Sequence, residues 1–257
     1  MLIAVLTKWV PAPEGTPELG ADHLLVREGA EGALDPSDEI GVEAGLQFAE
    51  RDGGEVVAVS MGPHDAVPGV QRALAMGAHR GILVTDPALR GADTLVSARV
   101  LAAALRRIEP GLVIAGVEST DGYTGTLPVT LAELLGFESV TAARRMDLDG
   151  DALRIERQTD TGYDVVRCPL PAVVALTAGA TEPRYPSLKG IMAAKSKPLE
   201  RLTAADLGLA GSDLEPSQRV VDVRDAPEKP GGEIVQADGT TAARIADLLA
   251  EAGALDR

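Results

Sequence analysis

The sequence predicts an α/β fold: a doubly wound parallel sheet with a small antiparallel β region and an extended C-terminal arm. Two observations carry this. Residues 2–6, 56–60, 81–85 and 112–115 are short aliphatic runs, continuous rather than alternating and broken only by the closing Ser60 and Thr85, as in strands covered on both faces. Longer amphipathic stretches separate them, and that alternation closes into a parallel sheet with right-handed crossovers.

Taken in order, the first helix is expected over 38–51, with Glu43, Gln47, Glu50 and Arg51 as its polar stripe. Ser37 is its expected cap, and Asp38/Glu39 and Glu43/Glu50 read as solvated acidic faces. A second helix spans 65–76, after Gly62-Pro63. A third spans 93–108, with Val100, Leu101, Ala104, Leu105 and Ile108 on one face. The fourth, 127–135, has Pro128 in its first turn, where proline is favoured, and Thr126 as its cap. After Gly136 the pattern changes to a hairpin, 143–148 and 153–158, around an Asp149-Gly150-Asp151 turn. Strands at 164–167 and 172–176 follow.

These elements divide the chain into a domain over 1–198 and an arm over 199–257. Residues 215–232 read as an extended linker, and 241–252 as a short helix carrying Ile245, Leu248 and Leu249. Such an arm either wraps a partner subunit or folds back on its own domain.

Composition excludes several classes. The 257 residues carry 24 Lys+Arg against 39 Asp+Glu, a net charge of −15, which argues against a nucleic-acid binder. One cysteine, Cys168, allows no internal disulfide, and three histidines without ligand spacing make no case for a metal. No apolar run approaches the roughly 20 residues of a membrane span. The chain enters a strand from Met1 without a basic leader, so the expected compartment is the cytoplasm.

In an open α/β sheet, ligands sit at the carboxyl ends of strands. Three segments meet there: Leu6-Thr7-Lys8-Trp9, Ser60-Met61-Gly62-Pro63, and the loop from Gly116 to Pro128. That loop is rich in small and hydroxyl residues (Ser119, Thr120, Gly122, Thr124, Gly125, Thr126) and leads into a helix N-terminus, an arrangement suited to a phosphate. It is neither a Walker loop nor GxGxxG. The expected class is an adenine-nucleotide-binding, Rossmann-like domain. No catalytic set emerges: Ser60 and Ser119 lack a nucleophile elbow, and no histidine is placed as a base.

Residues 182–197, EPRYPSLKGIMAAKSK, invert the overall charge: Arg184, Lys189, Lys195 and Lys197 stand against Glu182 alone. Pro183 and Pro186 interrupt regular structure, and Leu188, Ile191 and Met192 are large apolar groups on a segment that reads as irregular. A basic rim around apolar side chains suits docking of an acidic partner; a plain surface loop is the other reading.

Together these segments resemble the small (beta) subunits of the electron-transfer flavoprotein family, over residues 1–209. The resemblance is carried by IAVLTKWV (3–10), DPSDEIGVEAGLQ (35–47), VAVSMGP (57–63), RALAMGAHRGILV (72–84), VIAGVESTDG (113–122), PAVVAL (171–176) and EPRYPSLKGIMAAK (182–195). The ESTDG form of the loop is similar to that of actinobacterial members. The resemblance implies a heterodimer with a larger alpha subunit holding most of the FAD, and a structural AMP in this chain. It carries AMP contacts onto Leu6, Asp35, Pro36, Ser37, Asp38, Met61 and the loop Gly116, Val117, Glu118, Ser119, Thr120, Asp121, Gly122, Tyr123, Thr124, Gly125, Thr126 and Leu127. It carries partner docking onto Arg184, Tyr185, Leu188, Ile191 and Met192, with Leu188 as the anchor.

The implied activity is that of an electron carrier rather than an enzyme. Electrons would pass from flavin dehydrogenases, such as the acyl-CoA dehydrogenases of fatty acid oxidation, to a quinone-linked oxidoreductase. Trp9 and Pro13 depart from the family pattern on the flavin side. Two alternatives stay open: a bifurcating member with a second FAD that oxidises NADH, and a free-standing nucleotide-binding module of the universal-stress type.

Overall fold

The protein is described by a computed structural model over residues 1–12, 18–27, 29, 31–224, 226–227, 231–232, 234–237 and 239–254. Pro13 and parts of the 215–232 stretch lie outside the described residues. In chain order come β1 (Leu2–Thr7), β2 (Trp9–Pro11), β3 (Gly32–Leu34), α1 (Pro36–Asp52), β4 (Glu55–Met61), α2 (Val67–Met76), β5 (Arg80–Val84), α3 (Thr94–Arg106) and β6 (Leu112–Gly116). Then follow α4 (Leu127–Leu135), β7 (Glu138–Asp149), β8 (Ala152–Thr159), β9 (Gly162–Pro169), β10 (Ala172–Leu176), α5 (Leu188–Ala194), β11 (Leu199–Leu202) and α6 (Thr241–Glu251).

Nine strands form one sheet in the order β11-β5-β4-β1-β6-β10-β7-β8-β9. The strands from β11 to β7 pair in parallel, and β8 and β9 extend the sheet as antiparallel strands. Both faces are covered, which is why the central strands are apolar at nearly every position. Ile3 and Val5 of β1 join a core built with α1 and α2, while Ala4 and Leu6 join one built with α3 and α4. β2 and β3 form a separate antiparallel pair.

β1 and β6 are neighbours, yet the chain leaves β1 towards β4 and leaves β6 towards β7. Connections that part in opposite directions open a crevice at the carboxyl ends of those two strands. The fold therefore puts the β1 exit, the start of α1 and the β6–α4 loop around one point.

Three expectations need correcting. Residues 199–202 are not the start of an arm: β11 pairs with β5, and the Gly81 amide donates to the Pro198 carbonyl at 2.9 Å. The first compact unit runs from Met1 to Val221, and the second from Asp222 to Arg257. The helix expected over 65–76 opens as a 3-10 turn, His64–Ala66, with α2 proper beginning at Val67 beside Pro68. Residues 188–194 are helical rather than irregular, because the Ser187 hydroxyl caps that turn by accepting from the Gly190 amide at 3.1 Å. In the second unit, α6 occupies the expected stretch and buries none of its residues.

Candidate nucleotide crevice and docking ridge

The crevice is held together by the first turn of α1. Asp35, not Ser37, caps this helix: its carboxylate Oδ1 accepts from the Ser37 amide at 2.9 Å. Its other oxygen accepts from both the amide and the hydroxyl of Thr120, at 2.7 and 2.8 Å. Asp35 is 0% exposed, so it positions the β6–α4 loop rather than presenting its carboxylate to a ligand. One turn on, Asp38 accepts from the Lys8 amide at 2.7 Å. Burial, and then the nearby Asp35 charge, push the Asp38 pKa well above the usual carboxylate range, against the amide bonds from Lys8 and Gly116. Asp35 and Asp38 thus fasten the α1 terminus to both lips of the crevice, and Asp38 does not lie on the solvated face that the sequence suggested.

The third wall is ionic. Asp121 receives the Lys8 ammonium at 2.6 Å and an ion pair from Arg27, with its side chain only 4% exposed. Lys8 Nζ also donates to the Ser119 hydroxyl at 3.2 Å. Burial raises the Asp121 pKa, but the two cations outweigh it and hold the carboxyl below its ordinary value. Gly116 has no room for a side chain: a Cβ there would lie 2.7 Å from the Ser37 Cβ. That close approach lets the loop turn over the helix terminus.

The remaining expected contacts scatter around this centre. Leu6 is buried in the core and Met61 packs against the same cluster. Ser37, Val117, Ser119, Thr120 and Gly125 are half-buried, whereas Pro36, Glu118, Gly122, Tyr123, Thr124 and Thr126 are exposed, and Leu127 packs against the core. Thr126 makes no side-chain cap; its carbonyl accepts from the amide and hydroxyl of Thr130, at 3.0 and 2.9 Å. Beside the loop lies a cleft of about 410 Å³ lined by Ser37, Val117, Glu118, Gln158, Asp160 and Thr177, among others. Among the described residues no group of acidic, histidine or cysteine side chains could hold a metal, and no helix could cross a membrane.

On the outer side of α1 and α2 lies the basic-apolar segment, and two of its four cations, Arg184 and Lys197, are engaged internally. Arg184 Nε donates to Glu43 at 2.6 Å, its Nη1 to Glu50 at 2.6 Å, and its Nη2 to both, at 3.0 Å each. Burial raises the Glu43 pKa, yet the Arg184 and Gln47 hydrogen bonds bring it below the usual value. Glu43 is therefore a buried ion-pair partner rather than a solvated face. Lys197 donates to the carbonyls of Leu74 and Ala78, at 2.9 and 2.6 Å, around the C-terminus of α2, where a cation is favoured. Between these two tethers α5 lies hard against α2, for a Cβ on Gly190 would sit 2.4 Å from the Ala75 carbonyl. What faces outward is apolar: Tyr185 is 90% exposed, Leu188 76%, Met192 68% and Ile191 47%. The expected basic rim thus contracts to Lys189 and Lys195, because Arg184 and Lys197 are engaged within the fold.

Residues 22–207 match the family model described as the electron transfer flavoprotein domain. The chain belongs to the electron transfer flavoprotein family. Its similarity is to beta subunits: electron transfer flavoprotein subunit beta of Mycobacterium bovis (strain ATCC BAA-935 / AF2122/97) is 36% identical over 257 residues, covering 96% of this chain and 97% of the relative. The protein of the same name from Bacillus subtilis is 34% identical over 212 residues, 82% of each chain. The caffeyl-CoA reductase-Etf complex subunit CarD of Acetobacterium woodii is 33% identical over 258 residues, 97% of this chain and 96% of the relative.

The relatives that carry this likeness are named as beta subunits of electron transfer flavoprotein. In that light Glu43 and Arg27 are the positions that reading the sequence missed. Glu43 sits at helical spacing from Glu50, which signalled a solvated stripe; only the return of the chain at Arg184 pairs them. Arg27 lies in a stretch with neither period nor motif, so nothing marked it.

Proposed function

We propose that this chain is the beta subunit of a heterodimeric electron carrier that takes electrons from flavin dehydrogenases, such as those of fatty acid oxidation in the cytoplasm, and delivers them to a quinone-linked acceptor. The observation that carries this reading is the ridge of Tyr185, Leu188 and Met192, exposed on a short helix tied down at Arg184, Gly190 and Lys197. Large apolar groups on a rigid support suit an anchor that enters a partner's pocket, because little freedom is lost on docking.

The crevice suits a structural AMP. The Ser119 hydroxyl and the free face of the loop to Leu127 would hold its phosphate, with the loop fixed in advance by Asp35. FAD, held mainly by the alpha subunit, would supply the one-electron chemistry when bound. This chain would orient it through the wall containing Ser37, Val117 and Gln158. No substrate bond is made or broken here, and the C-terminal unit with α6 would wrap the alpha subunit.

The Acetobacterium relative is named as a subunit of a reductase complex, which favours a second reading in which this chain serves such a complex; that reading would put a second FAD in place of AMP. Acid extraction of the purified heterodimer followed by mass measurement separates the two. One AMP and one FAD per heterodimer is the expected result; two FAD would overturn the AMP assignment.

A further inference from the structure

Two cations from separate elements, Lys8 at the exit of β1 and Arg27 before β3, converge on one carboxylate in the wall of the crevice. Asp121 is almost wholly buried and is held ionised by them. An ordinary anion site keeps its cations for the ligand. Here the protein supplies its own anion to them, in the same loop whose hydroxyls and amides would meet a phosphate. The remaining donors of that loop are neutral, and neutral donors suit one phosphate better than the added charge of two.

The geometry points to Asp121 as the residue that limits the crevice to a nucleoside monophosphate. A second phosphate seated there would compete with Asp121 for Lys8 and Arg27, whose combined positive charge that carboxylate halves. The Lys8 ammonium is also shared with the Ser119 hydroxyl at 3.2 Å. This inference rests on the reading of the crevice as a nucleotide site.

The test uses the complex with the alpha subunit, stripped of endogenous nucleotide, and measures competition between AMP and ADP. Wild type should favour AMP. Asp121→Asn should raise the ADP-to-AMP affinity ratio at least tenfold by releasing two cations. Arg27→Gln, which keeps the carboxylate and removes one cation, should move the ratio the other way, and it keeps the test open if Asp121→Asn does not assemble. AMP binding with an unchanged ratio in the folded variants overturns the role of Asp121 alone. No binding of either nucleotide by wild type overturns the nucleotide site and this inference with it.

Discussion

Arg184 closes on Glu43 across 141 residues of chain, with its Nε 2.6 Å from the carboxylate, and so fastens the 182–197 segment to the side of α1. A carboxylate that is 3% exposed cannot be left without its cation at little cost. Arg184→Ala should therefore lower the unfolding free energy by roughly 2–4 kcal/mol, more than an exposed ion pair would. Urea unfolding measures this, and a loss below about 0.5 kcal/mol would show the pair to be solvated in practice.

The same pair has a pH signature. Glu43 has a lowered pKa in the fold, so its contribution is present above the unfolded carboxylate value and drains away as pH falls through the folded one. The stability gap between wild type and Glu43→Gln should shrink on acidification below about pH 4. A gap that stays constant down to pH 2 would contradict the assignment.

Asp38 titrates in the opposite sense. Its folded pKa is raised, so the unfolded chain gives up the proton first and stability erodes as pH rises from about 4 towards the folded value. Asp38→Asn cannot ionise and keeps an oxygen for the Lys8 amide. The Tm of Asp38→Asn relative to wild type should climb between pH 4 and pH 7. Parallel Tm curves would mean that Asp38 ionises freely in the fold.

Leu188→Ala should weaken dehydrogenase docking by about 1.5–3 kcal/mol, roughly ten- to a hundredfold, while flavin and nucleotide content stay at wild-type levels. The measurement is the KM for the electron-donating dehydrogenase. Unchanged dehydrogenase-coupled rates would remove Leu188 as the anchor.

Docking should also depend little on salt. Arg184 and Lys197 are satisfied inside the protein, leaving Lys189 and Lys195 to face a partner. Raising ionic strength from about 0.05 to 0.5 M should change the docking KM less than about threefold, since the screened pairs are few. A tenfold change would restore the electrostatic picture that the bare charge count suggested.

Much of this architecture was legible in the residues. Continuous aliphatic runs marked β1, β4, β5 and β6, and the helix between Leu127 and Leu135 falls where its Pro128 and Gly136 punctuate it. The crevice followed from topology, since a βαβα order leaves only one end of the sheet for a ligand. What local pattern could not show was long-range pairing. Glu43 reads as solvated because its partner is 141 residues away, and residues 199–202 read as the start of an arm because the chain beyond them is richer in Pro, Asp and Gly, while the pairing of β11 with β5 is long-range. The charge of residues 182–197 was counted correctly and misread, for a count does not say which cations the fold has already used.

The exposed Tyr185–Leu188–Met192 ridge has a consequence for the protein in solution. Such a surface is adhesive, and two copies could bury it against each other as readily as against a dehydrogenase. The chain carries a net charge of −15, so like copies repel before their ridges can meet. Colloidal repulsion thus keeps an adhesive surface in circulation, reserved for a partner whose own pocket rewards the approach.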